Sequence, residues 1–305
     1  MNSIVIAIIG PTASGKTSLS LELASAVPCE IISADSRQVF RYLDIGTAKP
    51  TPSEQSIVPH HCVDILNPDE KYSAGQFAHD ARPIINTLFS QNKVPIIVGG
   101  SGLYCKALCE GLGTIDIECT EEHRAKAMTL FESLGREGLY EFVQTIDAKS
   151  AEKYADKNPQ RLLRVIEYYF STGLKLSDFH GTFMEKPEFT TLYFGIEHER
   201  NSLYEKINSR CTMMWENGIF EETESVLSMG YKPDAQSLQT VGYKEVLKVL
   251  SGELSKKEGL EAMQQSTRRY AKRQLTWCNN QTSVQWLDRE KAVTAIIEQY
   301  TQALS

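Results

Sequence analysis

Gly10-Pro11-Thr12-Ala13-Ser14-Gly15-Lys16-Thr17 fits the pattern GxxxxGK[ST], and its surroundings commit the chain more than any other segment does. The apolar run Ile4–Ile9 leads into it, and a helical pattern beginning at Thr17 follows it. A buried strand, a glycine-rich turn and a helix in that order form an anion cradle at the edge of a sheet. The glycines let the backbone wrap closely, so that successive N–H groups face an anion at the helix N-terminus. Lys16 adds a mobile positive charge, and the Thr17 hydroxyl is placed to ligate Mg²⁺. All eight residues are therefore expected to hold a di- or triphosphate, without specifying which.

Four further β-rich runs end in small or polar residues and precede helical patterns: Glu30–Ala34, Cys62–Leu66, Val94–Val98 and Leu192–Ile196. That alternation predicts an α/β fold, a P-loop NTPase-like parallel sheet wound on both faces. Between the last two runs the period changes. From Glu121 to about Ser171 the pattern is helical, with breaks at Gly135, Gly138 and Asn158-Pro159, before a strand pattern returns at Phe189. The expected organisation is a core over 1–115, an all-helical insertion over 116–188, and a second core segment over 189–305. The last segment reads as helical from Asn201, with turns at Gly218, Gly230–Pro233, Gly242 and Gly252.

Composition narrows the class. With 41% hydrophobic residues among 305, the chain has material for a real core, which excludes disordered, collagen-like and disulfide-scaffold proteins. Ile4–Ile9 is far shorter than the ~20 residues that span a bilayer, and no basic n-region precedes it. The seven cysteines (29, 62, 105, 109, 119, 211 and 278) form no CxxC pair, which fits a reducing compartment. Cys105 and Cys109, at i, i+4 spacing, read as small buried hydrophobes. A cytoplasmic protein is expected.

Ligands in such sheets bind beyond the carboxyl ends of the strands. Two segments should reach that rim: Ser33–Gln38, where the second strand ends at Asp35, and Gly99–Tyr104 after the Val94–Val98 strand. On residue type alone, Asp35 reads as a general base, a metal ligand or a helix cap. Ser101, set among three glycines, reads as a plain turn or as a functional hydroxyl. Asp44–Pro50 reads by default as a solvated loop. The companions of a hydrolysing NTPase are missing: Val63-Asp64 has only a short apolar run before it, and Asn92–Pro95 lacks the final Asp of a guanine-recognition motif. A phosphate cradle of this kind suits a diphosphate that leaves as one unit.

The net charge of −7 makes any nucleic-acid surface local. No acidic residue occurs from Ala262 to Leu287, and Arg268, Arg269, Lys272 and Arg273 crowd into six positions beside Tyr270 and Trp277. Cations mixed with planar rings suit a phosphate backbone and unstacked bases, although a solvated helix face with Trp277 in the core gives the same composition. A second basic pair, Arg161 and Arg164, opens a helix at Asn158-Pro159. The helix dipole disfavours cations there, which points to an anion nearby, while Leu162, Leu163, Val165 and Ile166 face inward.

Taken in order, Gly10–Thr17, Ser33–Gln38, Gly46–Pro50, Gly99–Tyr104, Asn158–Arg164, Val241–Glu245 and Lys272–Trp277 resemble the bacterial tRNA dimethylallyltransferases over nearly the whole chain. The resemblance implies an enzyme that moves a dimethylallyl group from its diphosphate to N6 of adenosine 37 in the tRNA anticodon stem-loop, with Mg²⁺. It implies that Asp35 is the general base, and that Ser101, where Thr is usual, places the reacting amine. It further implies that Asp35, Ser36, Arg37 and Gln38, with Ser101, Arg124, Gln160, Arg161, Leu162, Leu163 and Arg164, contact tRNA, and that Lys272, Arg273, Gln274 and Trp277 line a channel for it. Charge on the departing diphosphate would be met by the loop, by Lys16 and by a downstream arginine, Arg200 or Arg210. No membrane and no obligate protein partner are expected, and the enzyme is expected to act as a monomer. The competing readings are a P-loop small-molecule kinase and a non-enzymatic RNA-binding regulator.

Overall fold

The computed structural model describes residues 3–111, 120–179 and 186–305. Strand β1 (Ile4–Ile9) runs into α1 (Lys16–Ala24), followed by β2 (Cys29–Ser33), α2 (Pro52–Ile57), β3 (His60–His61), α3 (Ala74–Ser90), β4 (Val94–Gly99) and α4 (Gly102–Cys109). Then come α5 (Glu121–Ile146), α6 (Ala148–Lys153), α7 (Pro159–Thr172) and a 3₁₀ turn at Leu176–Phe179. The chain returns through β5 (Thr190–Ile196) to α8 (Arg200–Glu216), α9 (Ile219–Ser228), α10 (Tyr243–Leu250), α11 (Lys256–Gln281), β6 (Gln285–Leu287) and α12 (Ala292–Leu304).

Among the described residues the strands form one parallel sheet in the order β3-β2-β4-β1-β5-β6. Every residue of β1 and β4 is buried, which is why both read as unbroken aliphatic runs: a parallel sheet covered on both faces has no solvent side to alternate with. Ile6, Ile8, Ile96 and Phe194 from the sheet meet Leu19 and Leu23 of α1 and Ile296 of α12 in the main core. Burying each such side chain is worth about 1.5–3 kcal/mol. The fold is the P-loop NTPase-like one expected.

Several sequence expectations shift. The strand expected over Cys62–Leu66 stops at His61, because Cys62 and Asp64 adopt left-handed backbone, with φ of 60° and 55°. Pairing resumes only as a single bridge between Phe40 and Leu66. The helical insertion bends at Gly135 (φ 66°, ψ −168°), whereas α5 passes through Gly138 without a break. Strand β6 interrupts what read as an all-helical C-terminal segment, and at three residues on the sheet edge it is too short to show a periodicity.

The chain divides into two compact units, Met1–Glu110 with Lys186–Ser305, and Gly111–Glu185. The boundary expected at 115/116 and Cys119 lie outside the described residues. The other six cysteines are buried free thiols. The helical unit has its own core, in which Leu139 and Val143 of α5 pack with Leu162, Val165 and Ile166 of α7. Leu162 is fully buried there and has no surface to offer tRNA, so the contact expected of it is corrected; Leu163 packs against the same core and is half-buried. Asn158 caps α7 by accepting from the amides of Gln160 and Arg161. Asp156 lies 3.2 Å from Arg161, and Glu167 lies 3.7 Å from Arg164, so both cations have counter-charges within the unit.

Candidate active site

Three strand ends meet at one rim of the sheet. Strand β1 opens into Gly10–Thr17, β2 into Asp35–Gln38, and β4 into Gly99–Ser101. Helices α8 and α11 and the loop at 46–48 close over them. Between them lies a cavity of about 390 Å³ lined by Thr12, Lys16 and Thr17 of the phosphate loop and by Asp35 and Arg37. Its size suits a small organic ligand. The rim is drawn tight where β4 passes β2: a Cβ on Gly99 would fall 2.1 Å from the Ala34 carbonyl oxygen, so only glycine fits.

On the phosphate side, Gly10, Ala13 and Gly15 all take positive φ (147°, 63° and 83°), and Gly15 is the N-cap of α1. This left-handed backbone turns the loop round an anion, and glycine adopts it without strain. The Lys16 ammonium donates to the Pro11 carbonyl at 2.6 Å. Burial, then the Arg210 guanidinium, pushes Lys16 down to about 8. Among the described residues the Ser14 hydroxyl is buried without a hydrogen-bond partner. Behind the loop, His198 Nε2 donates to the Ser14 carbonyl at 2.9 Å, and the Trp286 ring packs 3.7 Å from where a Gly10 Cβ would stand.

Across the cavity, Asp35 Oδ1 accepts the Arg37 amide at 2.9 Å, a local turn that holds the carboxylate at the mouth. The Ser101 hydroxyl accepts the Ser36 amide at 3.0 Å and pairs with the Ser36 hydroxyl at 3.2 Å. Ser101 thus fixes the Asp35–Ser36 turn; the neighbouring Gly100 lines the cavity. Tyr270 of α11 lines the cavity, and its hydroxyl is pushed up to about 12 by burial and then by the Asp35 charge. Gln38 is spent on structure: its oxygen accepts from Ser33 at 2.8 Å and its amide donates to Ala48 at 3.1 Å.

The Asp44–Pro50 segment is not the solvated loop expected. Lys49 is buried, with its ammonium shared by the Phe40 carbonyl, Asp44 and Asp64. Glu222 of α9 accepts the amides of Asp44 and Ile45 (both 2.7 Å), the amide of Gly46 (3.1 Å) and the Tyr243 hydroxyl (2.5 Å). Gly46 must be glycine, since a Cβ there would stand 2.5 Å from the Tyr243 ring. Glu222→Gln puts an NH₂ where two of these donors point. It is expected to lower stability by about 1–3 kcal/mol, read by thermal or urea unfolding, because donors facing a donor stay unsatisfied. Unchanged stability would show the clamp to be dispensable.

Of the two candidate arginines, Arg210 lines the cavity and lies within electrostatic reach of both Lys16 and Asp35. Burial lowers its pKa and the Asp35 charge opposes that. Arg200 is exposed at the start of α8, with its guanidinium 5.2 Å from the Tyr204 ring centre, and does not line the cavity. The expectation for Arg200 is corrected. The two positions stand about 15 Å apart along one helix and cannot share a phosphate. From the basic stretch, Arg273 and Gln274 line the cavity, while Lys272 is exposed beside them. Trp277 stacks on Gly102, where a Cβ would meet its ring at 2.1 Å. Arg124, Gln160, Arg161 and Arg164 belong to the helical unit. Sequence reasoning had no signal for Glu222; Tyr243 and Tyr270 fall in segments it singled out, Val241–Glu245 and Arg268–Trp277, but their roles depend on partners distant in the chain.

The chain is similar to known proteins in sequence and fold. The IPP transferase family profile matches residues 38–281, and the isopentenyl transferase profile matches residues 3–59. A tRNA dimethylallyltransferase of Staphylococcus aureus is 41% identical over 289 residues, covering 94% of this chain and 93% of that protein. The crystal structure of a tRNA isopentenylpyrophosphate transferase from Bacillus halodurans superposes with a TM-score of 0.73 at 35% identity, over 99% of this chain and 96% of that one. That of a tRNA delta(2)-isopentenylpyrophosphate transferase from Staphylococcus epidermidis gives 0.71 at 38% identity, over 98% and 99%. With a family profile spanning most of its length and the phosphate loop facing a carboxylate across one cavity, the chain belongs to the IPP transferase family.

Proposed function

We propose that this protein transfers a dimethylallyl group from dimethylallyl diphosphate to N6 of adenosine 37 in tRNA and releases diphosphate. The observation that carries the reading is that one cavity is lined both by phosphate-loop residues Thr12, Lys16 and Thr17 and by Asp35. An adenine amine is a weak nucleophile, its lone pair being delocalised into the ring, so most of the catalysis must act on the leaving group. The loop amides, Lys16 and Arg210 would stabilise the charge that gathers on diphosphate as the allylic C–O bond breaks. Asp35 would take the amine proton as the C–N bond forms. The adenine has to leave the stack of the anticodon loop to reach this buried site.

Mg²⁺ would be held beside the phosphate loop of this cavity. The Thr17 hydroxyl lines it, and no His, Cys, Asp or Glu cluster among the described residues would bind a metal alone, so the diphosphate would bring the remaining oxygen ligands. When bound, the ion neutralises charge on the diphosphate oxygens. For the acceptor, the exposed Arg269, Lys272 and Arg273 on α11, with Arg124, Gln160, Arg161 and Arg164 of the helical unit, supply cations and polar groups for the phosphate backbone. No helix among the described residues is long and apolar enough to cross a membrane, and the buried free thiols suit the cytoplasm.

Incubation with labelled dimethylallyl diphosphate and unmodified tRNA is expected to place the label on one adenosine per tRNA with one diphosphate released per transfer. Label passing instead from γ-labelled ATP to a small hydroxyl acceptor, with none reaching tRNA from the prenyl donor, would overturn the reading in favour of a kinase.

A further inference from the structure

Helix α11 turns Met263, Ala271, Gln274 and Cys278 inward, and Gln274 is the polar member of that buried row, with 6% of its surface exposed. A buried amide must be matched at both ends. Gln274 is: its Oε1 accepts the Thr12 amide at 2.9 Å, and its Nε2 donates to the Gly100 carbonyl at 2.9 Å. The orientation is forced, because a backbone N–H only donates and a carbonyl only accepts; the flipped amide would oppose like with like at both ends. The fit is close enough that a Cβ on Gly100 would lie 2.1 Å from Nε2.

The two ends of this side chain belong to the two halves of the chemistry. Thr12 sits in the phosphate loop, and Gly100 stands beside Ser101, whose hydroxyl holds the Asp35–Ser36 turn. Transfer from carbon to nitrogen requires the reacting atoms about 3–3.5 Å apart and aligned, and small misplacements are costly. We infer that Gln274 is a positioning residue, a two-ended spacer that sets the diphosphate loop against the loop carrying the acceptor side, and that it is not a contact of tRNA. This gives a specific task to the channel-lining place that the resemblance implied for Gln274, and it rests on the prenyl-transfer reading above.

The test uses the full-length enzyme with dimethylallyl diphosphate and an unmodified tRNA, and wild-type transfer is the control arm. If wild type transfers no prenyl group, the functional reading fails; if it does, only the spacer is at stake. Gln274→Met keeps the volume and removes both bonds. It is expected to lower kcat about 10²-fold while the Kd for tRNA, measured by filter binding without donor, stays within about threefold of wild type. Gln274→Glu keeps an acceptor for the Thr12 amide but sets a carboxylate oxygen against the Gly100 carbonyl and beside the anion cradle. It is expected to lower kcat similarly and also to raise KM for the prenyl diphosphate, again with tRNA affinity kept. Either variant supports the inference if the other fails to fold. A tenfold or greater loss of tRNA affinity at unchanged kcat would assign Gln274 to the acceptor. Wild-type kinetics in a folded variant would remove it from positioning altogether.

Discussion

Asp35→Asn is expected to lower kcat about 10²–10⁴-fold, the range general-base catalysis contributes. Asparagine keeps the shape of the side chain, and its carbonyl oxygen can still accept the Arg37 amide that Asp35 Oδ1 accepts at 2.9 Å. The turn at the end of β2 therefore survives, together with the Ser36 amide's bond to Ser101. What is lost is the proton acceptor facing the cavity. Because kcat reports the chemical step, and on the proposed reading the phosphate backbone of tRNA meets cations elsewhere, the Kd for tRNA should stay within about twofold of wild type. Single-turnover transfer and filter binding measure the two separately. Wild-type turnover in this variant would remove Asp35 from proton transfer.

The second large effect concerns Lys16. In the free protein, burial and the neighbouring Arg210 push this ammonium down to about 8 from its usual 10.5. An arriving diphosphate needs the lysine protonated, so kcat/KM for the prenyl donor should be flat below pH 8 and fall as pH rises past it, since this parameter reports the free enzyme. Lys16→Met is expected to lower kcat/KM about 10²–10³-fold, as loss of a preorganised positive donor does, and to erase that alkaline limb. Stability moves the other way. With the folded pKa depressed, the unfolded chain binds more protons between pH 8 and 10.5, so the lysine's burial destabilises the fold less as pH climbs through that window. Opposite slopes for donor capture and for unfolding thus separate catalysis from folding. A limb that persists in Lys16→Met would assign it to another group.

What could be read from the chain alone was what it encodes locally. Strand β1, the loop and α1 are contiguous, and the continuous burial of β1 shows directly as six apolar residues. The Cys62–Leu66 run misled because a β-rich sequence was overruled from outside: the Asp64 amide bonds the Gln38 carbonyl and its side chain is held by Lys49, both fixed by tertiary contacts. The same holds for the 44–48 loop, whose order comes from Glu222, some 176 residues later, and whose Gly46 is set by the Tyr243 ring. Arg200 and Arg210 could not be told apart without knowing where α8 lies. Gln274 was placed in the right neighbourhood, and its place in the cavity lining agrees, but only the structure shows its amide engaged by the backbone of Thr12 and Gly100. Leu162 shows the converse: its inward-facing pattern was legible, and its burial follows from that pattern.

The most direct measurement is the distance from the Asp35 carboxylate to N6 of the target adenine. It would be read from a crystal of the enzyme with a non-transferable sulfur analogue of dimethylallyl diphosphate and an anticodon stem-loop. The expected result is an extruded adenine with N6 about 2.6–3.2 Å from Asp35, and the analogue's phosphates wrapped by Gly10–Thr17 within reach of Arg210. An adenine still stacked in its loop while the donor site is filled, or N6 bonded to some other group with Asp35 turned from it, would contradict the assignment of this cavity.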